Sequence, residues 1–118
     1  MAKRVLVVDD HAGVALALKV AFRRDGRLEV GDAALTAADG LRKLADHDAV
    51  LLDLHLPDLA GPELVRAFRE RGSSVPLILH SAVDDTPEVA AVQDSVDAVV
   101  LKSDLGNVIA TLVSLTGA

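Results

Sequence analysis

Five short apolar runs punctuate this chain, at residues 4–8, 28–33, 49–52, 75–79 and 98–101, and helical spacing fills the intervals. The runs have strand length and, apart from the weaker second one, their apolar residues are continuous rather than alternating, which suits strands covered on both faces. Between them, Val14, Leu18 and Phe22 fall on one helical face. Thr36 to Asp39 reads as a capping box opening a helix that carries Leu41 and Leu44. Gly61-Pro62-Glu63 places proline at the first position of a helix ending near Arg71, and Thr86-Pro87-Glu88 repeats the signal for residues 88–94. Asp104 or Ser103 caps a last helix bearing Val108, Leu112 and Leu115. Strand and helix alternating in this way predict an α/β fold with a parallel sheet and right-handed crossovers. In open sheets of this class, ligands bind beyond the carboxyl ends of the strands.

Composition narrows the function. With 118 residues the chain is long enough for one domain with a real core, and a single domain over residues 1–118 is expected. No apolar run approaches the ~20 residues of a spanning helix. Lys3 and Arg4 precede too short a run for a signal-peptide core. The absence of cysteine excludes a disulfide framework and thiolate metal sites, and a cytoplasmic location is expected. A net charge of −6 argues against direct nucleic-acid binding. Phe22 and Phe68 are the only aromatic residues, so platforms for stacking a base or a flavin are lacking.

The strand ends carry the chemistry. The first run leads into Asp9 and Asp10, the third into Asp53, the fourth through His80 into Ser81, and the fifth into Lys102. A parallel sheet brings these residues to one rim. Carboxylates gathered there repel one another, so a pKa must rise or a cation must bind. Oxygen ligands without thiolates suit a hard divalent ion, Mg²⁺ foremost. A carboxylate beside such an ion can attack phosphorus and form an acyl phosphate. Lys102 and the ion would then face the charge on the transferring oxygens, and Ser81 could donate a hydrogen bond to them. Taken singly, each residue has a plainer role as a helix cap, a turn residue, a loop hydroxyl or a solvated lysine. Placement at four strand ends favours the joint role.

Over essentially its full length the chain resembles the receiver domains of two-component response regulators. The matching stretches are Val5 through His11, Asp53-Leu54-His55-Leu56-Pro57 with Gly61 following, Ser81-Ala82 and Leu101-Lys102. The resemblance implies a flavodoxin-like, doubly wound, five-stranded parallel sheet in order 2-1-3-4-5, flanked by five helices. It implies that Asp53 accepts a phosphoryl group from a sensor histidine kinase or phosphotransfer protein. Asp10 and Asp53 would ligate Mg²⁺ directly, Asp9 through water, and His55 through its backbone carbonyl. Ser81 would turn toward the phosphoryl group, and Lys102 would pair with Asp53 and then with the phosphate. Such a domain is a regulatory phosphoacceptor rather than an enzyme with a separate substrate. Relatives dock or form homodimers through the face made by the fourth helix, fifth strand and fifth helix.

Three positions depart from the family pattern. Val99 stands where many receivers carry a tyrosine or phenylalanine that moves with the hydroxyl. Ser103 replaces the usual proline, so a trans peptide is expected after Lys102. Residues 94–98 lack the glycines common before the fifth strand, which implies a stiffer fourth helix and a muted switch. Among the histidines, His11 is expected to start the first helix, and His47 to be a solvated loop residue. His55 stands beside the path of an attacking water, in a tuning or a passive role, and His80 is expected to pack in its strand with a satisfied ring. None has the spacing of a transition-metal site. The alternatives are a phosphorylation-independent interaction module with a weakened switch, a flavin-binding protein and a small-molecule phosphatase. Asp9-Asp10-His11 in place of a phosphate loop disfavours the flavin protein, and His55 in place of a second aspartate disfavours the phosphatase.

Overall fold

The structure is a computed structural model that describes residues 1–72 and 74–118. Its elements are β1 (Lys3–Val8), α1 (Ala12–Asp25), β2 (Leu28–Ala34), α2 (Ala37–Arg42), β3 (Ala49–Leu52), α3 (Gly61–Arg71), β4 (Leu77–Ser81), α4 (Pro87–Ala90), β5 (Ala98–Leu101) and α5 (Leu105–Thr116). The strands form one five-stranded sheet in the order β2-β1-β3-β4-β5, parallel throughout. This is the flavodoxin-like order expected above.

Alternate residues of each strand feed two cores. Leu6, Val8, Val50, Leu52, Leu77 and Leu79 pack with Leu64, Val65 and Phe68 of α3. Val5, Val7, Leu51, Ile78 and Val100 face the other way, onto Leu18 and Phe22 of α1 and Val108 and Leu112 of α5. Both faces are therefore covered, which explains the unbroken apolar runs. Phe22 and Phe68 are fully enclosed, one in each core. Truncating either ring would cost about 3–5 kcal/mol.

Several boundaries differ from the sequence expectation. β4 begins at Leu77 rather than residue 75, because Pro76 has no N–H for the ladder and contributes only its carbonyl, to Val50 N at 2.9 Å. The strand then runs on through His80 and Ser81, so both are strand residues. Only half of the capping box forms. Thr36 Oγ1 accepts the Asp39 amide at 3.1 Å, while the Asp39 carboxylate turns to Arg42 and Lys43. α2 accordingly stops at Arg42, and Leu44 is buried just beyond it.

The fourth helix is the largest departure. A helix over residues 88–94 is expected, but α4 is a four-residue turn followed by a 3₁₀ turn at Gln93–Ser95. Val89 and Val92, three residues apart, are both buried against the α3 side of the sheet. A three-residue repeat suits i→i+3 bonding, and Val92 N donates to Val89 O (3.1 Å) and Ser95 N to Val92 O (2.8 Å). Arg69 locks the far end through Ser95 O at 2.9 Å and Asp97 Oδ2 at 2.9 Å. The expected stiff fourth helix is thus replaced by a short, tethered turn. No cis peptide occurs among the described residues, so the bond after Lys102 is trans, as expected.

One glycine answers a close approach. The β1–β2 register shifts between Val5 and Leu6, leaving Gly31 as the extra residue. A Cβ at Gly31 would lie 2.7 Å from His47 Nε2 and 3.1 Å from Arg4 Cβ. His47 is therefore half-buried beneath the bulge with an unpartnered Nε2, not a freely solvated loop residue.

Candidate functional site

Backbone bonds that continue the sheet by one residue aim the polar groups. Asp9 N donates to Ala34 O (3.0 Å), Asp53 N to Val8 O (2.9 Å) and Lys102 N to Ser81 O (2.7 Å). The first residue past each of β1, β3 and β5 thereby keeps strand-like placement, and its side chain reaches the rim. Asp9 and Asp53 are buried, whereas Asp10 is exposed.

Lys102 reaches across the rim between two carboxylates. Its Nζ lies 2.7 Å from Asp9 Oδ2 and 3.2 Å from Asp53 Oδ2. The Asp53 contact is a hydrogen bond; the shorter Asp9 contact is an ion pair not aligned as one. The second Asp53 oxygen, Oδ1, accepts the His55 amide at 3.0 Å. Burial pushes the Asp9 carboxyl upward, but Lys102 and the His11 amide outweigh it and hold it below its ordinary value. Burial likewise pulls Lys102 down, and the two carboxylates overcome it, so its pKa is raised.

His11 joins the cluster. Its amide donates to Asp9 Oδ1 at 2.9 Å, while its ring Nδ1 lies 3.3 Å from Asp9 Oδ1 and 3.1 Å from Asp10 Oδ1. His11 is the N-cap residue of α1, as expected, but its side chain makes no capping bond. One ligand atom from each of Asp9, Asp10, His11 and Asp53 can be chosen so that all lie within 4.8 Å of one another. Three carboxylates facing one ammonium leave excess negative charge, and the donors are hard oxygens with one imidazole. That donor set fits a divalent cation such as Mg²⁺.

Ser81 lines the same cleft of about 430 Å³, together with Asp10, His11, Asp53, His55, Thr86, Glu88 and Lys102. Its hydroxyl is not directed at Asp53: Oγ donates to Val83 O at 2.5 Å. Val99 is partly buried on the α3 side of the sheet, packed against that core. His80 faces the opposite side, alongside Ile78 and its register partner Val100. Its ring is buried with Nδ1 unpartnered, so the expectation of a satisfied ring does not hold. Burial, reinforced by the Lys102 charge, pushes its pKa down.

Two features of the rim escaped the sequence reasoning. Asp58 accepts the amides of Ala37 (2.8 Å) and Ala38 (3.0 Å), capping α2 from the loop that follows Asp53. A separation of some twenty residues leaves no local signal for that bond. The pairing of Lys102 with Asp9 as well as Asp53 needed the sheet order before it could be seen.

The response regulator receiver domain family model matches residues 5–112. The DNA-binding response regulator MtrA of Mycobacterium tuberculosis is 41% identical over 93 residues, covering 75% of this chain and 39% of MtrA. A protein-glutamate methylesterase/protein-glutamine glutaminase of Nocardioides is 35% identical over 89 residues, covering 74% of this chain and 24% of that protein. This chain thus matches well under half the length of these curated relatives. Among solved structures, a response regulator from Chloroflexus aurantiacus superimposes with a TM-score of 0.86 at 21% identity, covering 100% of both chains. The response regulator TrrA of Thermotoga maritima, solved with Mg²⁺ and BeF, gives 0.76 at 27% identity, covering 93% of this chain and 98% of that one. The chain belongs to the response regulator receiver domain family of two-component systems.

Proposed function

We propose that this receiver domain accepts a phosphoryl group on Asp53, in a Mg²⁺-dependent reaction, from the phosphohistidine of a sensor kinase or phosphotransfer protein. The observation that carries it is the Asp53 carboxylate itself. It sits at the end of β3, held at one oxygen by the His55 amide and at the other by Lys102, facing an open cleft. A carboxylate fixed in this way is poised as a nucleophile. An Asp53 oxygen forms a bond to phosphorus as the donor's N–P bond breaks, and the departing imidazole keeps the electron pair and takes up a proton.

Lys102 is placed to follow the charge from the carboxylate to the phosphoryl oxygens. Ser81 would exchange its bond to Val83 for one to a phosphoryl oxygen. Asp10, Asp53 and the His55 carbonyl would hold Mg²⁺, with Asp9 acting through water, and the ion would neutralise the transferring oxygens. The Mg²⁺–BeF complex of TrrA supports this assignment by likeness. The domain works in the cytoplasm, and its output is a change in the α4-β5-α5 face, which binds a protein partner or a second copy of the chain.

Intact mass after incubation with Mg²⁺ and a small acyl phosphate tests the proposal. The parent gains one phosphoryl group only with Mg²⁺ present, and Asp53→Asn gains none. No gain, even from a phosphorylated histidine kinase, would overturn the proposal and leave a phosphorylation-independent interaction module. The turned-away Ser81 hydroxyl and Val99 favour that second reading.

A further inference from the structure

The His11 ring has no evident structural task. Its side chain is 75% exposed, it does not cap α1, and yet Nδ1 is drawn in against Asp9 and Asp10. The separation of 3.1 Å from Asp10 Oδ1 matches two donors that could share one ion, while Asp9 Oδ1, assigned above to act through water, lies 3.3 Å away. Two ligands each ~2.1 Å from a cation lie ~3.0 Å apart along an octahedral edge and ~3.4 Å along a tetrahedral one.

We propose that His11 Nδ1 is a protein ligand of this metal site, making it bind a borderline divalent ion such as Zn²⁺ more tightly than Mg²⁺. This rests on the acidic rim being a metal site, as proposed above, and adds the imidazole and the resulting preference. Mg²⁺ favours oxygen and gains little from an imidazole, whereas Zn²⁺ bonds nitrogen readily and imposes no d-electron geometry. The peptide supports the arrangement. The His11 amide bonds to Asp9 Oδ1, so three successive residues curl around one point, with His11 in extended backbone before the helix begins. Asp53 lies on the far side of the same cluster. His47 precedes β3, at the end of the sheet opposite the rim, and is outside that group of donor atoms, which makes it the control.

The test is calorimetric titration of the full chain with Zn²⁺ and separately with Mg²⁺, on the parent, His11→Ala and His47→Ala. His11→Ala should weaken Zn²⁺ binding about tenfold or more and move Mg²⁺ binding far less. His47→Ala should leave Zn²⁺ binding close to the parent value. The ¹⁵N resonances of the His11 ring should shift on adding Zn²⁺, a signature that a purely structural ring would not give. Unchanged Zn²⁺ binding in His11→Ala, or equal losses for both ions, would overturn the role of His11 while leaving the Mg²⁺ site standing. Failure of the parent to bind Mg²⁺ at all would instead sink the metal-site proposal on which this one rests.

Discussion

Replacing His80 by leucine should stabilise the domain, most of all in mildly acidic solution. The ring is 4% exposed, lies on the face that carries Ile78 and Val100, and has an unpartnered Nδ1. A buried polar atom without a partner costs about 1–3 kcal/mol, and leucine of similar volume carries no such atom. His80→Leu should therefore gain about 1–2 kcal/mol at pH 7.5, with each kcal/mol raising Tm by roughly 3–5 °C in a chain of this size. The pH dependence has a definite sign. The folded pKa lies below the ordinary 6.5, because burial and Lys102 disfavour the imidazolium, although Asp9 and Asp53 favour it. The unfolded chain then binds the extra proton first. Stability is full above about pH 6.5 and falls as pH drops toward the folded value, where the loss levels off. Urea denaturation of parent and variant at pH 7.5 and 5.5 provides the assay. The advantage of His80→Leu should be larger at pH 5.5 than at 7.5. A variant less stable than the parent, or an advantage that does not grow on acidification, would refute the account of His80 as a buried, unsatisfied imidazole.

Two further changes probe the rim itself. Lys102→Met leaves the buried Asp9 carboxylate without its cation, and should cost about 3 kcal/mol in EDTA by urea denaturation; adding Asp9→Asn should recover part of that loss. Asp58→Ala removes the acceptor for the Ala37 and Ala38 amides, and should cost about 1 kcal/mol. Hydrogen exchange should then speed up at those two amides before it does in β3.

The strand–helix alternation and the rim were legible because they depend on local signals, namely apolar run length, proline at helix starts and a polar residue at four strand ends, while the sheet order followed from the family resemblance. Several misjudged parts depend on distant partners. Pro76 shifted β4 because its neighbour Val50 needs a carbonyl rather than an N–H. α4 shortened because Arg69, from α3, holds Ser95 and Asp97, which no local helix signal encodes. His80 was expected to be satisfied because strand position alone cannot tell which groups face a ring. At the site, the residues were readable and their pairings were not. Asp9, Asp53 and Lys102 could be named from the strand ends, but the Ser81 hydroxyl, at the end of β4, turns to the Val83 carbonyl two residues on.

Lys102 explains how a rim of acidic groups can belong to a stable fold. Asp9 and Asp53 face the same ammonium, which replaces part of the hydration they lose. The lowered Asp9 pKa contributes stability that is present above the ordinary carboxylate value and lost as pH falls through the folded value. The raised Lys102 pKa contributes stability that is present below its ordinary 10.5 and lost as pH rises through the folded value. Between these limits the arrangement supports the fold, yet one ammonium cannot neutralise three carboxylates. Nor can the carboxylates easily separate, because Asp9 and Asp53 are tied to the sheet by their own amides. One more cation beside Asp10, the acidic residue that Lys102 does not reach, would complete the neutralisation of the rim.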